Sequence, residues 1–119
     1  MREDRLPLLS MRFAVRIIRL SQFLQAKHEY IISRQIGRSG TSIGANIREA
    51  QYGQSKADFI SKLQVALKEA NETDYWFELL LQTDYLSKEQ FASLSKDCAD
   101  LRITLIHSIN TAKRNLNTT

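Results

Sequence analysis

An all-α fold, an antiparallel up-down-up-down four-helix bundle, is predicted from three features of the sequence. Apolar residues recur at three-and-four spacing through four long segments. Helix-stop and helix-start signals separate those segments by only a few residues, so successive helices run antiparallel as neighbours. One proline and four glycines stand in 119 residues, and no stretch alternates apolar and polar residues between hairpin turns. The length fits one domain, 1–119, with short flexible ends at about 1–7 and 114–119.

The first helix is expected from about Leu8 to Ala26, just after Pro7, a residue suited to a helix start. At 100° per residue Ala14, Ile17, Ile18, Ser21, Leu24 and Gln25 share one face, while Arg12, Arg16 and Arg19 stand opposite with Phe23 among them. The second helix is expected from about Glu29 to Tyr52. Its apolar stripe is Ile32, Ile36, Ser39, Ile43, Ile47 and Ala50, and Arg34, Arg38 and Arg48 lie opposite. Gly53 reads as its C-cap and Ser55 as the next N-cap, with Asp58 three residues on. The third helix, about Lys56 to Asp84, carries the seam Ile60, Leu63, Leu67, Ala70, Phe77 and Leu81. Ser87 and Gln90 form a capping-box pattern. It opens a fourth helix to about Lys113, with the seam Phe91, Leu94, Cys98, Leu101, Leu105 and Ala112.

Charge is divided unevenly. The net +4 is the balance of +6 over residues 1–56 and −2 over 57–119. A basic half attracts nucleic acid, and it equally attracts the acidic half of another copy. Cys98 is the one cysteine, which excludes an internal disulfide, and its place on a seam reads as a small buried thiol. The apolar runs are too short to span a bilayer. Arg12, Arg16 and Arg19 interrupt the N-terminal apolar segment, so no signal peptide is expected, and the expected compartment is the cytoplasm.

Three sets of residues stand out beyond the core. Ser33, Gly37, Gly40 and Gly44 fall on one flank of the second helix. Glycine inside a helix costs about 1 kcal/mol against alanine, so about 3 kcal/mol is given up, and close packing of another helix must offset it. That helix belongs either to the same bundle or to a second subunit. On the third helix Val65, Glu69, Glu72, Trp76 and Leu80 lie off the seam. Either Trp76 flanks its own core, or with Phe23 these residues form a subunit interface in which Glu69 and Glu72 meet arginines of another chain. The third set is Arg12, Arg16, Arg19, Arg34, Arg38 and Arg48. They are read as a solvated face, a nucleic-acid surface or an inter-subunit basic face; Phe23 can stack on a base or fill a partner's pocket. Asp74 falls on a seam and needs a partner, for which Asn46 is a candidate. No catalytic set, metal-ligand cluster or nucleotide fingerprint is seen; His28 and His107 do not stand in the Glu-x-x-His spacing of a carboxylate-bridged metal site. The expectation is a protein without enzyme activity, cofactor or metal.

The run Arg38-Ser39-Gly40-Thr41-Ser42-Ile43-Gly44-Ala45-Asn46-Ile47-Arg48-Glu49-Ala50 resembles a signature of the four-helix-bundle proteins associated with intervening sequences of bacterial 23S ribosomal RNA genes. So do Asp58-Phe59-Ile60-Ser61-Lys62-Leu63, the stretch from Ala66 to Thr73, and Tyr75-Trp76. Arg48 departs from the pattern, which has a small or neutral residue there in many relatives. The resemblance covers the chain from about Phe13 onward. It implies an antiparallel four-helix bundle assembled as a ring-like homopentamer, with no catalytic residues to carry over. It also implies a likeness in fold to the basic pentameric accessory protein of diversity-generating retroelements, which engages reverse transcriptase and nucleic acid. The expected function is thus an oligomeric bundle whose basic surface contacts RNA or DNA non-specifically, in a ribosomal-RNA-associated setting. The alternative is an adaptor for a nucleic-acid enzyme such as a reverse transcriptase, with no nucleic-acid contact of its own.

Overall fold

The computed structural model describes residues 2–118, with side-chain surroundings for 5–116. Four helices follow one another: α1 Arg2–Ala26, α2 Ile31–Gln51, α3 Lys56–Gln82 and α4 Lys88–Thr118. Each packs on its neighbours in the chain and α4 returns to α1, closing a square rod of 52 × 23 × 19 Å. No strand occurs among the described residues.

Local chemistry sets the helix ends. His28 adopts a left-handed conformation (φ 63°) after α1, and Asp84 does the same (φ 67°) after α3. Short polar side chains tolerate that region better than bulky ones, and one such residue ends a helix. Glu29, the expected start of α2, lies two residues outside it, because its carboxylate caps the helix. Its Oε1 accepts hydrogen bonds from the backbone N–H of Ile32 at 2.6 Å and Ser33 at 3.1 Å. Ser55 caps α3 by accepting from the Asp58 N–H at 3.0 Å. The Ser87–Gln90 box closes in both directions, at 2.9 and 3.1 Å. Gly53 is not in the left-handed conformation expected of a C-cap glycine. Its backbone approaches the Asp58 carboxylate instead, and a Cβ there would stand 3.0 Å from Asp58 Oδ2.

Two boundaries differ more widely. Helix α1 begins at Arg2, so Pro7 lies inside it and leaves one backbone carbonyl without its helical donor. Leu6 lies in the core at 3% exposure, and that contact carries the helix past the proline. Helix α4 runs to Thr118 because no glycine or proline follows Lys113 to stop it. Of the ends expected to be loose, residues 1 and 119 lie outside the described residues; the rest is helical.

The core is continuous along the rod. The α2 stripe is wholly buried as expected, and Leu94, Cys98, Leu101 and Leu105 of α4 face it. On α1 the expected face is corrected: Leu6, Phe13, Ile17, Leu20 and Leu24 are buried, while Ile18 is 45% exposed and Gln25 lies in solvent. Phe13 meets Phe77 edge-on across the bundle, with ring centroids 6.1 Å apart. The Cys98 thiol donates to the Ala70 carbonyl at 3.3 Å.

The small-residue flank of α2 packs against α1 of the same chain. Ser33 and Ser21 form a reciprocal buried pair, with hydroxyl oxygens 2.8 Å apart and each hydroxyl near the other's carbonyl, at 3.0 and 3.1 Å. A Cβ on Gly40 would lie 2.6 Å from Ile17 Cγ1, and one on Gly44 would lie 3.2 Å from Ser10 Oγ. Of the two helices that could have lain on the glycines, it is the neighbour within the bundle that does.

Candidate functional site

The acidic patch of α3 is satisfied within its own chain. Arg38 of α2 donates to Glu69 Oε2 at 2.9 Å and, through its other terminal nitrogen, to Glu72. Trp76 Nε1 donates to the same Glu72 oxygen at 3.1 Å, and the Tyr75 ring stands edge-on to the indole at 5.0 Å. Hydrogen bonding to Glu72 holds the Arg38 guanidinium above its ordinary range. Burial pushes the Glu72 carboxyl up, but the hydrogen bonds from Arg38 and Trp76 outweigh it and leave Glu72 below the usual carboxylate range. These two carboxylates have no need of arginines from another subunit.

Two further members of the expected interface move inward. Leu80 is fully buried, and Trp76 is half-buried against the core. Trp76 is tied toward α2 through Glu72, which it shares with Arg38. Val65, at 41%, and Phe23, at 42%, stay exposed, but they stand on different helices, α3 and α1.

The basic residues divide in the same way. Arg16 is committed to α4: its Nη1 donates to Asp97 Oδ2 at 2.6 Å and its Nη2 to Ser93 Oγ at 3.1 Å. Arg38 is held by Glu69 and Glu72. Arg12, Arg19, Arg34 and Arg48 make no ion pair with a described residue. Among the described residues, four of the six arginines are thus without an acidic partner, two on α1 and two on α2.

Asp74 finds its partners on α4, not in Asn46. Its Oδ2 lies 3.7 Å from Arg102 Nη2 and its Oδ1 accepts from Ser95 Oγ at 3.3 Å. Asn46 turns back to Ser42 of its own helix, donating to its carbonyl at 2.9 Å. Burial raises the Cys98 thiol to about 12, so it is protonated at neutral pH and a poor nucleophile. Among the described residues no group of three or more His, Cys, Asp or Glu side chains is placed to hold a metal ion, and no helix is long and apolar enough to cross a membrane.

A second apolar surface does exist, on α1. Leu8, Met11, Val15 and Ile18 are 53%, 52%, 46% and 45% exposed. Their spacing is three, four, three, and they point away from the core. The signal was present in the sequence, but two apolar stripes on one helix average to a direction between them. Hence the face assigned to α1 took Ile17 from one stripe and Ile18 from the other.

Residues 8–107 match the model of a family described as 23S rRNA-intervening sequence protein. The chain belongs to that family. It is similar over 92% of its length, at 51% identity and a TM-score of 0.91, to the crystal structure of a protein of unknown function from the S23 ribosomal protein family of Bacteroides thetaiotaomicron, 99% of which is covered. No curated protein matches the chain significantly. The expected family and the expected four-helix bundle are therefore both found.

Proposed function

We propose that this chain is a non-enzymatic assembling protein of the cytoplasm that self-associates through the outward stripe of α1 and contacts RNA or DNA through arginines left free of internal pairing. One observation carries the reading: α1 is apolar on two opposite sides. A helix of that kind is normally buried on both. Leaving Leu8, Met11, Val15 and Ile18 in water forgoes about 25 cal/mol for each Å² that a partner covers. The ring of five copies that the resemblance implies is the form we assign to this association. A cyclic assembly uses two different patches of each copy, and the basic first half and acidic second half suit such docking.

Arg12 and Arg19 on α1, with Arg34 and Arg48 on α2, supply the phosphate-binding charge. Such contacts are insensitive to sequence and release counterions, so affinity falls steeply with salt. The family's name supports a ribosomal-RNA setting.

Light scattering on the native particle is the deciding measurement. The expected mass is a multiple of 13.7 kDa, dropping toward one chain in the double variant Val15→Glu, Ile18→Lys while helicity is kept. A wild-type particle of single-chain mass at high concentration overturns the assembly. A gel-shift series that finds no RNA or DNA binding, or binding indifferent to salt, removes the nucleic-acid part and leaves the adaptor reading.

A further inference from the structure

The seam between α1 and α4 is the loosest of the four. It opens between the C-terminal half of α1 and the N-terminal half of α4 into a groove of about 330 Å³. The floor is aliphatic, formed by the buried side chains of Leu20, Leu86 and Leu94. The α1 wall carries Arg16, Arg19 and Phe23, which fall on one side of the helix. Gln90 lines the α4 side; its Oε1 accepts from the Ser87 N–H, which leaves the amide NH2 to donate.

The wall residues divide the work. Arg16 is neutralised and fixed by Asp97 and Ser93, so it is a rigid edge and not a free charge. Arg19 makes no ion pair with a described residue, and Lys27 Nζ sits 5.7 Å from the centre of the Phe23 ring. Phe23, 42% exposed and with Lys27 over its ring, thus stands with Arg19 at the mouth of an apolar slot near the lower end of the size range for small-ligand sites, and an entering base would take the place of the lysine on the ring. Phe23 lies roughly a quarter turn around α1 from the Leu8–Met11–Val15–Ile18 stripe, apart from the surface assigned to self-association.

We propose that this groove takes one unstacked base of single-stranded RNA or DNA, stacked on Phe23, with the adjoining phosphates on Arg19 and Lys27. An apolar floor, an aromatic wall and flanking cations match a flat heterocycle joined to anions. A duplex keeps its bases stacked inside and cannot present one to such a slot. The inference rests on the nucleic-acid part of the proposed function and adds to it the strand form and the place of contact.

Fluorescence anisotropy of the full chain with a short labelled oligouridine, and with a duplex of equal length, tests it. The single strand is expected to bind more tightly than the duplex. Phe23→Ala is expected to weaken single-strand binding about 5- to 150-fold, the range for loss of one stacked base, while duplex binding and native mass stay unchanged. Phe23→Trp retains the affinity, and its indole emission, measured against the Trp76 background, is quenched by the oligonucleotide. Arg19→Ala flattens the salt dependence for the single strand by about 0.7 in the log–log slope. Normal wild-type binding with no loss in Phe23→Ala overturns the groove and spares the broader nucleic-acid reading. A wild-type protein that binds neither strand form overturns both. A change of native mass in Phe23→Ala, with oligouridine affinity intact, assigns the groove to a protein neighbour and likewise overturns the proposal.

Discussion

Adding one methyl group in turn to Gly37, Gly40 and Gly44 tests how α1 and α2 are held together. Each substitution by alanine gains about 1 kcal/mol in helix propensity. What the new Cβ meets decides the sign of the sum. At Gly37 the nearest atom is Ser21 Oγ at 3.6 Å, an ordinary contact, and Gly37→Ala should stabilise by about 0.5–1 kcal/mol. At Gly40 it meets Cγ1, Cγ2 and Cδ1 of Ile17 at 2.6, 2.7 and 3.0 Å. Ile17 is fully buried and β-branched, with one favoured rotamer in a helix, so it has nowhere to swing. Overpacking of this kind costs about 1–3 kcal/mol, leaving a net loss of up to about 2 kcal/mol for Gly40→Ala. Gly44, 3.2 Å from Ser10 Oγ, should fall between the two. Urea unfolding followed by far-UV circular dichroism, at one protein concentration, gives the order. Ile17→Ala removes all three clashing atoms, so a double-mutant cycle with Gly40→Ala should show a favourable coupling of about 1 kcal/mol or more. Equal stabilities for the Gly37 and Gly40 variants, or a coupling near zero, would refute the close-approach account.

Two other outcomes follow from the charge and thiol environments. Because Glu72 is held below the usual carboxylate range in the folded chain, its contribution is fully present above about pH 4.5, its ordinary value, and is lost as pH falls through the depressed folded value. The wild type should therefore exceed Glu72→Gln by up to about 1 kcal/mol at pH 7, as expected of a partly exposed pair, and the gap should close in acid unfolding series; a gap that widens below pH 4.5 contradicts the pairing. Cys98, with its thiol raised to about 12, should resist a thiol reagent at neutral pH in the folded protein and react once urea unfolds it, so fast labelling of the native chain would contradict its burial.

What was legible in the sequence depended on whether one physical signal acted alone. In α2 the apolar stripe, the small-residue flank and the arginine face point in three separate directions; the stripe is buried as expected, and α1 of the same chain covers the flank, one of the two helices that could have done so. The caps at Ser55 and Ser87 are decided within four residues and were equally plain. Helix α1 carries two apolar stripes, and a single averaged direction describes neither. Pro7 misled for a related reason: local preference marks a start there, but burial of Leu6 is a tertiary effect that no window around the proline contains.

The charges were harder because a helical wheel shows which side a residue faces and not what stands across from it. Glu69 and Glu72 on α3 read as unpartnered until α2 brings Arg38 between them, from a position 31 residues before Glu69. Asp74 likewise needs α4 to bring Arg102. The same closure of the bundle that satisfies these carboxylates also decides which surfaces remain. It removes Leu80 and much of Trp76 from any candidate interface, occupies Arg16 and Arg38, and leaves an apolar stripe on α1 bordered by Arg12 and Arg19. The pairing of the chain with itself comes first, and another molecule can meet only what that pairing leaves over, the outward stripe of α1 and the arginines beside it among them.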